Sequence, residues 1–319
     1  MSVTVAFLAS RVRVEEKLLL AAYAARGVEP LRLDERSLSL RLDASTPPES
    51  APHGRERSRR GILDGIEVLH DRSISMGAAA HLTEVLEARG VRCVNSSTVV
   101  RTCGDKLRTT LALDRAGIPQ PETRVAFSRE EALRLLDEEL GYPAVLKPTV
   151  GSWGRLVARL NDRHAAEAVL EDRELLGNWT HRSLYLQRLV DKPGRDVRVF
   201  VVGSEPVAAI YRTSEHWITN TARGGGVSRC EVSSPLADLA LAAAGAVGGG
   251  ILAVDLVEDP DRGPLVLEVN HGMEFRNSIE PTGVDIPGAM VDYVLGVGAA
   301  LGPVGVGGVG GVGGVEVRT

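Results

Sequence analysis

The sequence predicts a mixed α/β and α+β protein, with a small parallel-sheet unit first and mostly antiparallel sheet after it. Three observations support this. Strand-like residues 3–9, the helical pattern Val14–Ala25 closed by Gly27, and the short run Leu31–Leu33 make a βαβ opening. Beyond residue 183, apolar runs follow one another through short turns, as antiparallel neighbours do. Finally, Leu252-Ala-Val-Asp-Leu256 and Leu265-Val-Leu-Glu-Val-Asn270 are two apolar runs that each carry hard oxygen donors.

Taken in order, residues 67–69, 78–88 and Arg92–Val94 add a strand, a helix and a strand, and the first unit closes near Ser97. Residues 43–60 are rich in proline and charge with almost nothing apolar to bury, so a mobile surface loop is expected there. A second unit opens with one helix over residues 98–116, stopped by Gly117 and Pro119. It continues with strand Thr123–Ala126, a helix over 129–139 and a strand over 143–147. The third unit gathers strands over 183–190, 195–202 and 207–211, a helix over 235–247 and the two oxygen-bearing strands. These readings divide the chain at 1–97, 98–185 and 186–300, with a flexible Gly/Val tail over 301–319.

Composition narrows the function. The 319 residues, 44% of them hydrophobic, suit two or three packed units. A formal net charge of −5 argues against a nucleic-acid binder, which needs a surplus of clustered Lys and Arg. Cys93, Cys103 and Cys230 are odd in number and form no Cys-x-x-Cys, so neither a disulfide framework nor a zinc site is expected, and a reducing cytoplasm fits. The N-terminus lacks the basic n-region of a signal peptide, and no apolar stretch reaches the roughly 18 residues of a membrane span.

The strongest chemical signal is the trio Asp255, Glu268 and Asn270. Asp255 and Glu268 are 13 residues apart, a spacing that lets a hairpin bring them together, and Glu268 and Asn270 are i and i+2 on one strand face. Hard oxygens so placed suit magnesium. Lys147 ends a strand shortly before Gly151-Ser-Trp-Gly154, where glycine lets backbone amides approach phosphate and the lysine adds a point charge. The order is not that of a Walker loop. Asp196 and Arg198 share a strand face, and Arg212 and Trp217-Ile-Thr-Asn220 extend the polar set. Each signal alone has a plainer reading: strand-end polar residues, a tight turn, surface ion pairs. Their convergence points to a magnesium–nucleotide site. His70, His81, His164, His181 and His216 have no metal-ligand spacing.

The blocks Cys103-Gly-Asp-Lys106, Gly117-Ile-Pro-Gln-Pro121, Leu146-Lys-Pro148, Gly151-Ser-Trp-Gly-Arg155, Lys192-Pro-Gly-Arg-Asp-Val-Arg198, His216-Trp-Ile-Thr-Asn220, Glu268-Val-Asn-His271 and Met273-Glu-Phe-Arg-Asn-Ser278 occur in this order. In them the chain resembles the ATP-grasp superfamily and, within it, the branch of RimK and LysX, with LysX-type ligases the nearer match. The resemblance implies an ATP-grasp fold with an N-terminal Rossmann-like pre-ATP-grasp domain and the nucleotide held between two antiparallel sheets. ATP would be bound by Lys106 and Lys147 at its phosphates, by a lid including Gly151, Ser152, Trp153 and Gly154, and by a hinge of Gln187, Arg188, Leu189 and Val190. Asp196 and Thr221 complete the implied nucleotide set. Asp255, Glu268 and Asn270 would hold magnesium, usually two ions, while Arg212, Asn220, Glu274, Phe275, Arg276, Asn277 and Ser278 would face the amino-acid substrate. Arg198 or Arg212 is the expected catalytic cation.

The implied activity is that of an ATP-dependent carboxylate–amine ligase. It would phosphorylate the C-terminal glutamate of a small acidic LysW-like amino-group carrier protein and couple it to the α-amine of an acidic amino acid. Asn277-Ser278 favours α-aminoadipate, with glutamate next. The implied protein is a cytoplasmic homo-oligomer, dimer or tetramer, with no nucleic-acid or membrane partner. Two alternatives stand beside this reading: a RimK-like or glutathione-synthetase-like ligase acting on a peptide or small molecule, and a nucleotide-binding module without chemistry. The sequence also departs from the family pattern. Arg188 and Leu189 stand where the hinge usually has glutamate and an aromatic, Gly272 where a threonine is expected, and Glu280-Pro281 where His-Thr is expected.

Overall fold

A computed structural model describes residues 3–39, 65–151, 154–219 and 225–300, so both the 43–60 segment and the Gly/Val tail lie outside the described residues. Three four- or five-stranded sheets organise the chain. The first holds β1 (Val5–Leu8), β2 (Leu31–Leu33), β3 (Val68–Asp71) and β4 (Arg92–Val94) in the order β2-β1-β3-β4, all parallel. The two central strands, β1 and β3, are covered on both faces, which accounts for their nearly unbroken burial.

The second sheet is antiparallel: β5 (Thr123–Ala126), β6 (Ala144–Lys147), β7 (Ala158–Leu160) and β8 (Leu184–Arg188), in the order β5-β8-β6-β7. The 183–190 run, expected with the C-terminal sheet, therefore belongs here. Its Leu184 and Leu186 pack with Ala144, Leu146 and Leu160 and with helices Arg129–Leu135 and Arg163–Leu176. That alternation leaves Val145, Lys147, Tyr185 and Gln187 on the opposite face.

The third sheet comprises β9 (Arg195–Val202), β10 (Glu205–Thr213), β11 (Gly226–Cys230), β12 (Ile251–Asp259) and β13 (Gly263–Asn270), in the order β11-β10-β9-β12-β13. One face packs Val197, Val199, Val201, Leu252, Val254 and Leu256 against helix Ser234–Val247 and the helices near residues 97–115. The other face is divided. Phe200, Val202, Ala208, Ile210, Ile251 and Ala253 pack under helix Ile286–Ala299, which also touches the parallel sheet at Val5, Phe7 and Val68. Farther along the same strands, on the same side, stand Asp196, Arg198, Arg212 and Asp255. Apolar side chains thus anchor one half of this face and leave the other half for chemistry.

One expected helix is two. The 98–116 run forms Ser97–Cys103 and Lys106–Arg115, separated by Gly104 and Asp105. Asp105 caps the second helix, accepting from the amides of Leu107 and Arg108, so Lys106 becomes its first residue. Two lone glycine and aspartate residues inside a helical pattern are a weak signal of a break, and here the cap outweighs helical continuity.

Candidate active site

Each chemical residue sits where strand pairing places it. Asp255 on β12 is the register partner of both Glu268 on β13 and Arg198 on β9, so one row across three strands carries two carboxylates and a guanidinium. Arg198 donates to Asp255 through Nε (2.7 Å to Oδ1) and Nη2 (2.8 Å to Oδ2). Arg212 lies 3.2 Å from Asp255 Oδ2 and donates from Nε to Asp196 Oδ1 at 2.6 Å. Burial alone would raise the Asp255 pKa, but the two guanidiniums more than offset it and keep this carboxyl below its ordinary value. Burial likewise opposes the Arg212 charge, and Asp255 and Asp196 outweigh it, raising the pKa. Asp255 is therefore a dependable anion at neutral pH.

Asn270 donates from Nδ2 to Asp255 Oδ2 at 3.3 Å, which leaves its amide oxygen free to accept or to coordinate. Asp255, Glu268 and Asn270 together form an all-oxygen donor set on one hairpin, which fits a hard divalent cation. A bulge in the β12–β13 pairing next to Asp255 disrupts the alternation, and Leu267 and Glu268 both line the cleft as a result.

Lys106, the first residue of helix Lys106–Arg115, links the two walls of the cleft. Its backbone amide donates to Thr149 O at 2.8 Å, its Nζ donates to Gly151 O at 2.7 Å, and Nζ lies 3.4 Å from Glu268 Oε1. Lys147 ends β6 and donates from Nζ to Gln187 Oε1 at 2.6 Å. Gln187 in turn donates to Thr123 Oγ1 (3.1 Å) and to the Tyr185 hydroxyl (3.3 Å), so a polar chain fixes it. Burial lowers the Lys147 pKa to about 8, with Lys106 and Lys192 adding to the effect and Glu268 opposing it. Gly154, with φ of 63°, approaches Ile218, and a Cβ there would come within 3.2 Å of Ile218 Cγ2.

A cavity of about 280 Å³ joins these groups. Its wall includes Lys106, Lys147, Gly151, Gly154, residues 187–190, Asp196, Arg198, Arg212, Asp255, Glu268, Asn270 and Glu274. Ser152, Trp153, Asn220 and Thr221 lie outside the described residues. Phe275 and Ser278 are buried, and Phe275 sits in the core under helix Ile286–Ala299. Arg276 and Asn277 are exposed and bond to each other, away from the cavity wall. Arg188 lines the cavity, yet its guanidinium donates outward to Glu122 (Nε to Oε2, 3.0 Å).

Sequence reasoning missed several wall residues. Lys192 donates to Thr219 Oγ1 at 2.7 Å and lies 3.7 Å from Asp196 Oδ2; it sits inside a block already noted, so proximity to Asp196 was an available signal. Leu267 depends on the bulge. Arg13, Asp71 and Arg72 come from the N-terminal unit, and no spacing rule links them to residues about 200 positions away.

Residues 103–294 match the RimK-like ATP-grasp domain and residues 5–102 match the LysX preATP-grasp domain. The chain is 32% identical to the glutamate–LysW ligase ArgX of Sulfolobus acidocaldarius, over 91% of this chain and 97% of that one. It is 39% identical to the α-aminoadipate–LysW ligase LysX of Sulfurisphaera tokodaii, over 68% of this chain and 76% of that one. The crystal structure of a RimK domain ATP-grasp protein from Sphaerobacter thermophilus superposes with a TM-score of 0.72 at 32% identity, covering 92% of this chain and all of the other. ATP-grasp ligases use ATP, typically with magnesium, and no helix among the described residues is long and apolar enough to cross a membrane. With the ATP-grasp domain spanning residues 103–294 and full-length likeness to a LysW ligase and to a RimK domain structure, the chain belongs to the RimK-like ATP-grasp family of ATP-dependent ligases.

Proposed function

We propose that the enzyme phosphorylates the C-terminal glutamate of a small acidic LysW-like carrier protein and joins it to the α-amine of an acidic amino acid, α-aminoadipate or glutamate. The observation that carries this reading is the single row Glu268–Asp255–Arg198, flanked by Lys106 and Arg212, on the wall of a cavity that continues to the N-terminal unit. Relatives named as glutamate–LysW and α-aminoadipate–LysW ligases support the carrier and the substrate class.

The chemistry follows from charge. A carboxylate resists an amine because oxide is a poor leaving group, and transfer of the γ-phosphoryl of ATP makes an acyl phosphate that expels phosphate instead. Catalysis of that transfer is mainly neutralisation and alignment. Lys106 and Lys147 face the cleft to hold phosphate oxygens. Asp255, Glu268 and Asn270 would hold magnesium, two ions in this reading, and bound magnesium supplies Lewis-acid neutralisation of the phosphates. Arg198 and Arg212, held by Asp255 and Asp196, would in this reading stabilise the oxyanion formed when the amine attacks. The amide forms as phosphate leaves, and the amine proton passes to solvent or phosphate.

The test is to incubate the protein with ATP, magnesium, a carrier ending in glutamate and a panel of amino acids, then weigh the carrier and assay ADP. A carrier mass gain of one acidic amino acid less water, with stoichiometric ADP, is expected. ADP formation that is indifferent to the carrier, with a small-molecule amide as product, would replace this reading with that of a glutathione-synthetase-like ligase.

A further inference from the structure

Arg13, from the N-terminal unit, reaches the cavity with one edge of its guanidinium already held by the fold. Its Nε donates to Glu16 Oε2 and its Nη2 to Glu16 Oε1, both at 3.0 Å, while its backbone amide donates to Oε2 at 2.9 Å. Glu16 is fully buried, and its Oε1 also accepts from Arg72 Nε (3.3 Å) and Nη2 (3.2 Å). Arg72, itself buried, spends Nη1 on Met273 O at 2.9 Å. All donor positions of Arg72 named here are committed to the fold.

The charge count of this cluster is the informative part. Arg13, Glu16 and Arg72 sum to one positive charge, with Glu16 shared between the two arginines. The carboxylate that touches Arg13 on the cavity side is Glu274, 3.1 Å from Nη1, on a side chain that is 42% exposed. Arg13 is thus held from behind by a buried anion, and its outward nitrogen is met by a partly exposed glutamate on the cavity wall. That is how a carboxylate site looks with an internal carboxylate resting in it. The segment from Asn270 to Glu274 runs along one wall of the same cavity, from the magnesium-type oxygens to Arg13.

We propose that Arg13 is a specificity-determining residue that binds the distal carboxylate of the incoming acidic amino acid, displacing Glu274. This inference rests on the reading above that the second substrate is an acidic amino acid. A distal carboxylate is what separates aminoadipate and glutamate from neutral amino acids. A buried Glu16 that orients a guanidinium fork toward the cavity gives that selection a rigid donor.

The experiment compares wild type with Arg13→Met and Glu274→Gln, measuring KM and kcat for α-aminoadipate, glutamate and glutamine in the carrier assay. In parallel, calorimetric titration of the same three amino acids is run on the protein loaded with magnesium and a non-hydrolysable ATP analogue. For Arg13→Met the KM of the acidic amino acids should rise about 30-fold or more, with little change for ATP, and the preference for glutamate over glutamine should collapse. For Glu274→Gln, which removes the internal competitor, the KM should fall by about threefold. A merely structural Arg13–Glu274 pair would move both variants in the same direction. Unchanged acid affinity in Arg13→Met, or equal losses for glutamate and glutamine, would overturn the assignment. If wild type binds acidic amino acids but labels no carrier, the proposed function fails while the Arg13 site is still judged by titration. If wild type binds no acidic amino acid, both fall.

Discussion

Arg198 and Asp255 are cross-strand partners on β9 and β12, and their side chains meet in a two-point pair, Nε to Oδ1 at 2.7 Å and Nη2 to Oδ2 at 2.8 Å. Asp255 therefore has two functions in one position. By donor type it belongs to the oxygen set proposed above to hold magnesium, and it is also the counter-ion of Arg198 and of the buried Arg212.

The first prediction separates those functions. Asp255→Ala should abolish turnover and also lower stability by about 3–5 kcal/mol, because Arg198 and Arg212 lose a buried partner. Glu268→Gln should abolish turnover with a much smaller stability change, since Glu268 is partly exposed and its ion pair to Lys106 is long at 3.4 Å. Urea denaturation of both variants beside an ADP-release assay checks this. Equal unfolding midpoints for Asp255→Ala and wild type would show that the arginines do not depend on Asp255.

A second prediction concerns pH. Burial holds the Lys147 pKa near 8, below its ordinary value of 10.5. The charged form is therefore the form disfavoured by folding, and this contribution to stability improves as pH rises through about 8 toward the unfolded value. Phosphate binding has the opposite sign, because it needs the ammonium. The KM for ATP should thus climb above pH 8, approaching about tenfold per unit, while the fold gains slightly from this residue. Lys147→Arg should flatten the upper limb, since guanidinium stays charged. A KM for ATP that is flat from pH 7 to about 9.5 in wild type would exclude Lys147 as a phosphate-binding cation.

Much of this site was legible in the sequence, and for identifiable reasons. The two-residue period of a strand places Glu268 with Asn270 and Asp196 with Arg198, and a hairpin of the observed length aligns Asp255 with Glu268. Lys147 followed by a glycine-bearing turn was legible because a strand end and a turn are both local features. What could not be read was whatever depends on tertiary closure. Leu267 reaches the cleft through a bulge, and while the resemblance named Lys106, the helix break at Asp105 that makes it a helix's first residue was hidden where the apolar pattern runs on. Leu184–Arg188 was assigned to the wrong neighbours because its apolar residues suit either antiparallel sheet equally. Arg13 and Arg72 depend on a docking of the N-terminal unit that no local period encodes.

The third prediction addresses the unusual hinge. On β8, Gln187 points into the cleft and Arg188 points out, where its guanidinium is 51% exposed and paired with Glu122. The Arg188 amide donates to Glu122 O at 2.8 Å, so the backbone is fixed independently of the side chain. Arg188→Ala should therefore change ATP affinity less than about threefold and stability by under about 1 kcal/mol, as for exposed ion pairs generally. Gln187→Ala, by contrast, should weaken ATP binding about tenfold or more by releasing Lys147 and Tyr185. Nucleotide titration of the two variants decides between them, and a large loss in Arg188→Ala would mean that its side chain itself contacts the nucleotide.

The fourth prediction tests how the N-terminal unit is fastened to the catalytic sheet. Asn95, buried just after β4, accepts from Ile251 N at 2.7 Å and donates to Ile251 O at 2.8 Å and His271 O at 3.0 Å. One amide thereby mimics a strand neighbour for β12 and ties it to the segment that leaves β13 beside Asn270. Gly250, with φ of 109°, lets the chain pass directly over this side chain; a Cβ there would meet Asn95 Oδ1 and Cγ. Asn95→Leu should cost about 2–4 kcal/mol, because three buried backbone groups lose their partner at once. Gly250→Ala should also destabilise, by about 1–3 kcal/mol, through strain and the clash with Asn95. The two residues touch, so the double variant should cost clearly less than the sum of the singles. Additive losses in thermal or urea unfolding would show that Gly250 is constrained by its backbone alone and that Asn95 is not the surface it packs on.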